Sequence, residues 1–261
     1  MKPTVAVPLD IKLMNGTSFA LFAAFFVFAL GIVVMWALQS PLFAIKKILV
    51  FGEVTHTNAI TFKANVAPKL AGTFVTLDLA RTREIFEAVP WVRKAVVKRE
   101  FPNRLKVDLQ EHQAVAYWGS DAESRLLNSF GEVFEANAGE VEQEALPRLN
   151  GPDGQGAQVL IAYQSLEPLF VGLDLALDQF ELTGRGGWQA RLDTGAVLQL
   201  GRGSADEVVA RTRRFVGTLA QITAKYGRQP EALESADLRH EDGYAIRLRG
   251  VTTTELVQKQ K

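Results

Sequence analysis

Histidine is the side chain best suited to moving protons near neutral pH or holding a transition metal, and this chain has three: His56, His112 and His240. They lie far apart, and none sits at a ligand spacing such as H-x-x-x-H, so the pattern offers no metal site. Cysteine is absent, which removes thiolate nucleophiles, Cys-ligated zinc and disulfides together. No G-x-S-x-G, S-x-x-K or paired-carboxylate pattern falls in a strand-to-loop setting. Ser129 follows Asn128 in a turn, with no base marked out for it. Gly201-Arg202-Gly203, ahead of a helix, could hold a phosphate. It lacks the Lys-Ser/Thr of a phosphate-binding loop and the third Gly of a dinucleotide site, so it reads as a tight strand-to-helix turn. Catalytic residues, a metal, a cofactor and a small-molecule substrate are not expected.

The pattern with the most chemical content is the last strand. Tyr244, Ile246 and Leu248 point one way, while Ala245, Arg247 and Arg249 point the other. One reading is an edge strand blunted by arginines against self-association. The other is a docking edge, where an incoming strand takes the unpaired main-chain groups and its acidic side chains meet the arginines.

The elements that carry this strand begin at a hydrophobic segment. From Leu13 to Ile45 no side chain is charged, and the middle reads "FALFAAFFVFALGIVVMWAL". About 20 apolar residues in a helix span a hydrocarbon core of roughly 30 Å. The run exceeds a signal-peptide h-region and ends without a small-x-small cleavage site, so it is expected to remain as an anchor. Trp36 falls near its far end, at the interface an indole prefers. We expect a cytoplasmic tail over residues 1–18, a span over 19–39, and everything after it translocated. The absence of cysteine suits an extracytoplasmic setting. With 29 basic and 29 acidic side chains, the chain as a whole is not expected to gather nucleic acid or anionic lipid, which needs a clustered basic excess.

Past the span, "FAIKKILVFG" reads as a strand. Thr57 is placed to cap a short helix from Asn58 to Ala67, and Asp78 to cap a second that carries Leu79, Ile85 and Phe86 on one face. Val92–Arg99 and Arg104–Gln110 form a hairpin about Phe101-Pro102-Asn103. Residues 45–112 thus make a β-α-α-β-β unit. Ala114–Trp118 follows at once and opens a second sheet, a stiff coupling of two modules.

That larger β unit occupies residues 113–250 and leaves a loose tail, 251–261. It contains a hairpin about Ser129-Phe130-Gly131, a helix over 157–172 that Pro168 interrupts or ends, and strands at 175–183, 188–192 and 196–200. Ser204 to Glu207 is a capping box. It opens a helix striped by Val208, Thr212, Phe215, Val216, Leu219, Ile222 and Tyr226. The fold class is α+β: one transmembrane helix, then the small unit, then a mixed β domain with helices on one face.

Several of these segments together resemble one family. They are "FAIKKILVFG", "GTFVTLDL", "PWVRKAVVKREFPNRLKVDLQEHQAVAYW", "LLNSFGEVFEA", "LPRLNGPDG", "LQLGRG" and "ADLR". The chain resembles the FtsQ/DivIB family of bacterial cell-division proteins over nearly all its length. The resemblance implies that residues 45–112 are a POTRA (polypeptide-transport-associated) domain, and that the protein is a non-catalytic scaffold. It implies a single-pass type II protein of the bacterial inner membrane, with periplasmic domains concentrated at the division septum. The implied partners are FtsB and FtsL, with further contacts to FtsK, FtsW and FtsI, and the bilayer itself through the one span.

In that family the FtsB contact is strand addition at the C-terminal edge. Carried over, the Asp-Leu-Arg arginine is Arg239, Arg185 before Trp188 is a second basic contact, and His240, Gly243, Tyr244, Ile246 and Leu248 complete the partner-binding set. Where the family often has a Tyr and a late Trp, this chain has His240 and Leu248, leaving Tyr244 to supply a ring. The alternative is a POTRA-containing periplasmic chaperone or assembly protein for membrane-protein transport. Such chains normally repeat the unit and add a barrel.

Overall fold

A computed structural model describes residues 9–38, 40, 43–52, 54–57, 62, 64–120, 125–141, 146–240 and 243–251. The chain divides into two units, Met1–Glu111 and His112–Lys261.

The first unit opens with α1 (Leu9–Leu38). Between Leu13 and Leu38 it is apolar and long enough to cross a membrane, and the described residues do not bury its apolar stretch. The helix starts well ahead of the 19–39 span expected from composition. Backbone hydrogen bonding continues upstream through polar residues, and the Thr17 hydroxyl folds back onto the Leu13 and Met14 carbonyls, 3.0 Å from each.

A three-stranded sheet follows, ordered β1 (Lys47–Phe51), β3 (Arg104–Glu111), β2 (Val92–Glu100), with β1 parallel and β2 antiparallel to β3. Alternation decides its faces. Leu105, Val107 and Leu109 of the central strand are buried, and Val107 sits opposite both Val50 and Val97. Helix α2 (Leu79–Glu87) covers this face. Asp78 starts it as expected, its Oδ1 accepting from the Ala80 and Arg81 amides at 2.8 and 3.2 Å. Phe86 is buried against Phe62, ring centroids 5.7 Å apart. The second buried position on α2 is Thr82, while Ile85 and Leu79 are only half-buried. Thr82 tolerates burial because its hydroxyl donates to the Asp78 carbonyl at 2.6 Å.

The expected first helix, 58–67, lies largely outside the described residues. The Thr57 hydroxyl and amide both donate to Glu111, at the end of β3.

The second unit is a nine-stranded sheet in the order β12-β11-β10-β9-β8-β7-β4-β5-β6. Its strands are β4 (Ala114–Trp118), β5 (Arg125–Asn128), β6 (Val133–Glu135), β7 (Arg148–Asn150), β8 (Leu177–Leu182), β9 (Gly187–Leu192), β10 (Val197–Arg202), β11 (Leu233–Asp237) and β12 (Ala245–Leu248). Two parallel neighbours are joined by helical crossovers: β7 to β8 through α3 (Gly156–Val171), and β10 to β11 through α4 (Ala205–Lys225). The two helices pack on each other and on the sheet, burying Trp188, Phe180, Phe170, Leu166, Phe215 and Leu219 in one core. Strand β4 is interior, between β7 and β5.

Pro168 lies inside α3, which ends soon after it at Val171, in keeping with the helix expected over 157–172. Proline removes one amide donor, but Leu166 and the fully seated Phe170 on either side of it hold the last turn against the core. Tyr226 does not join the α4 stripe; it caps the helix and is 58% exposed.

The Ser204–Glu207 capping box is present, with Ser204 N donating to Glu207 Oε2 at 2.9 Å and Glu207 N to Ser204 Oγ at 3.3 Å. Gly201, at φ +87°, lies near the end of β10, where the pairing with β9 shifts register. A Cβ there would lie 2.7 Å from the Arg211 guanidinium and 3.3 Å from Arg239 Cγ.

Candidate docking edge of the second sheet

Strand β12 forms because "YAIRL" alternates over a hydrophobic core. Leu248 is buried, and Ile246 and Tyr244 are half-buried against the same cluster, while Ala245, Arg247 and Arg249 face solvent. It pairs antiparallel with β11, Ala236 opposite Ile246 and Asp237 opposite Ala245. Among the described residues no strand pairs with its other side, so one row of its main-chain groups borders no ladder.

The registers gather the expected residues at one end. The start of β9 is level with the end of β10, Gly187 opposite Arg202, while β11 ends and β12 begins three residues short of that, with Gln199 beside Asp237 and Asp237 opposite Ala245. Arg185 occupies the exposed turn before β9, closed by Gly186 N to Thr183 O at 2.9 Å. Arg239 and His240 leave β11, and Gly243 enters β12; all are exposed. Ile246 and Leu248 run away from this end, and Leu248 turns inward, so only its main chain reaches the edge.

Arg239 is not a bare cation. Its Nε donates to Asp237 Oδ1 at 2.9 Å, its Nη2 to Oδ2 at 2.6 Å, and its amide to Oδ1 at 3.0 Å. This forked clasp holds the Asp237 carboxyl down at about pKa 2, despite burial working the other way, and raises that of Arg239. Arg247 leans towards Glu234 across the ladder, Nε to Oε2 3.5 Å. The Arg249 guanidinium donates to the Thr194 carbonyl.

Tyr244 is tied down as well: its ring meets Phe215 edge-on, centroids 5.1 Å apart at 85°, and its hydroxyl shares a hydrogen bond with Thr218 on α4. The sequence reading missed Asp237, Glu234, Phe215 and Thr218. Asp237 was findable, since residues two apart on a strand share a face and the Asp-Leu-Arg spacing puts opposite charges side by side. Phe215 and Thr218 come from another element and carry no such signal.

The other two histidines stand in aromatic stacks. His56 lies on Trp91 at 3.8 Å and His112 on Phe134 at 4.1 Å. Among the described residues no group of three or more His, Asp or Glu side chains gathers as a metal would need.

The architecture is thus an apolar helix long enough to cross a membrane, a small α+β unit and a mixed sheet whose outermost strand is paired on one side only among the described residues. Comparison with known families places it more closely. Residues 43–112 match the POTRA domain of FtsQ type, and residues 116–239 match the C-terminal region of the cell division protein FtsQ/DivIB. The chain is 38% identical to the cell division protein FtsQ of Thiomonas arsenitoxydans, covering 94% of this chain and 90% of that one. It is 34% identical to that of Burkholderia pseudomallei (93% and 94%) and 32% identical to that of Bordetella pertussis (82% and 83%). The chain belongs to the FtsQ/DivIB family of cell-division proteins.

Proposed function

We propose that this protein is a non-catalytic scaffold of the division machinery that binds FtsB and FtsL outside the inner membrane, with the partner adding a strand to β12. The reading is supported above all by the position of β12, the outermost strand of a nine-stranded sheet, paired only with β11 among the described residues. Strand addition draws its affinity from main-chain bonds and its register from side chains at the ends. Arg185, Arg239 and His240, exposed at the start of the β12 edge, would meet partner carboxylates; Gly243, Tyr244, Ile246 and Leu248 would offer main chain. Because Asp237 already clasps Arg239, a partner carboxylate would share or displace that pairing. Contacts to FtsK, FtsW and FtsI, and a periplasmic location at the septum, belong to the same reading.

The test is binding of the detergent-solubilised full chain to the periplasmic segment of FtsB, with Arg185→Glu and Arg239→Glu variants. Loss of affinity in both supports the edge; unchanged affinity in both overturns it. Depletion separates the transport alternative: long cells without septa support the scaffold, and outer-membrane defects without filamentation overturn it.

A further inference from the structure

The hairpin between β2 and β3 ends in Phe101, which at 82% is the most exposed large apolar side chain among the described residues. A phenylalanine held out at a hairpin tip loses free energy to water unless something apolar receives it. The hydrogen bonds around it point to what does. The last residue of the apolar helix, Leu38, gives its carbonyl to the Thr73 hydroxyl at 2.9 Å, and Phe74 N donates to Phe43 O at 2.7 Å. The 73–77 loop is therefore fastened to the exit of α1.

Arg99, at the end of β2, ties that loop to the hairpin, with Nε donating to Phe74 O at 2.7 Å and Nη2 to Val75 O at 3.3 Å. On the other side of the tip, Lys46 N donates to Asn103 O at 2.9 Å. Residues 39–45 alone separate Lys46 from the helix end. Trp36, 76% exposed in the last turns of α1, marks the level at which an indole settles in the interface.

The same end of the unit is cationic. Lys46 and Lys47 are exposed and make no ion pair with a described residue, and Lys47 stands opposite Arg104, which holds Glu100 at 3.1 Å. Val75 (44%) and Phe43 (38%) add apolar surface around the tip. We propose that this face is seated on the bilayer that α1 crosses. Phe101 enters the boundary between headgroups and acyl chains, and Lys46 and Lys47 meet anionic phospholipid headgroups. Interfacial anchoring of this kind combines buried apolar area with attraction to anionic lipid. Its consequence is a first unit held at a set height and orientation on the membrane. The inference rests on α1 spanning the bilayer and is independent of the docking edge.

Because the chain has no cysteine, single introduced cysteines can be labelled cleanly. Full-length protein in nanodiscs of phosphatidylcholine with phosphatidylglycerol would carry an environment-sensitive fluorophore at Asn103→Cys, Phe101→Cys, Phe130→Cys or Leu21→Cys, with nitroxide-bearing lipid as quencher. Labels at 101 and 103 are expected to lose most of their emission, and the label at Phe130, an exposed position of the second unit, to keep it. Phe101→Asp, or Lys46→Glu with Lys47→Glu, should restore emission from the label at 103, the lysine pair only where phosphatidylglycerol is present. Emission at 101 and 103 as unquenched as at 130, with the label at 21 quenched, overturns the seated hairpin alone. An unquenched label at 21 overturns the spanning helix and the inference with it.

Discussion

Two sheet edges in this molecule face the same physical hazard and treat it in opposite ways. Strand β2 is the longer, nine residues, and lies at the edge of the small sheet. Its own unit closes it: the Ala95 amide donates to Glu87 Oε1 at 3.1 Å, and the Arg99 side chain gathers the carbonyls of the 74–77 loop. Arg93, Lys94 and Lys98 add charge that discourages another strand. Strand β12 has four residues and receives no such cover among the described residues, while Tyr244 and Leu248 fix it from beneath. An edge closed by its own side chains belongs to a finished fold. An edge braced from below and, among the described residues, bare at the side is what the proposed strand addition needs.

The largest expected effect breaks the bracing. Phe215 is fully buried under Tyr244, and Phe215→Ala should lower the second unit's unfolding free energy by about 3–4 kcal/mol, with partner binding lost alongside, read by chemical denaturation and binding on one sample. Next, Arg239→Glu sets a second carboxylate beside Asp237 and should weaken FtsB binding by about 2 kcal/mol, roughly thirtyfold, with no comparable change in stability. An equal loss of stability would make Arg239 a structural residue.

The complementary change is on the closed edge. Glu87→Ala uncovers the Ala95 amide and should cost the first unit about 1–2 kcal/mol. If closure is what keeps β2 single, the variant should also self-associate in a concentration-dependent way by analytical ultracentrifugation.

The smallest effects come from pH. Burial works to raise the Glu111 pKa, but hydrogen bonds from the Thr57 hydroxyl and the amides of His56, Thr55 and Thr57 outweigh it, so the value falls below 4.5. Asp237 falls from 3.8 to about 2. Both titrate lower folded than unfolded. Each therefore contributes stability that is complete above its ordinary pKa and lost as pH drops, for Asp237 through about 2. Acid melts of each unit should show Glu111→Gln flattening the loss below pH 4.5 in the first. The solvent-exposed Asp237–Arg239 clasp should leave only a slight trace in the second, since exposed pairs contribute little.

Much of this was legible in the chain. Caps announced themselves at Asp78 and Ser204 because capping depends on residues within one turn. The alternation of Tyr244, Ile246 and Leu248 marked the buried face of β12 before any coordinate was known. Local rules are silent where a distant group intervenes. Nothing near Thr57 in the sequence signals that its hydroxyl and amide donate to Glu111, far along the chain.

Residue types and their spacing by themselves determined the apolar helix, the α+β class and the caps at Asp78 and Ser204, because each follows from hydrophobic period or capping chemistry within a short window. Only the tertiary structure decided that β12 stands outermost, that β2 is shut by Glu87 and Arg99, that Arg185 shares one end of the sheet with Arg239, and that Phe101 stands beside the exit of α1. Strand order and side-chain closure depend on contacts between segments far apart in the chain, and such contacts leave no periodic mark on either segment.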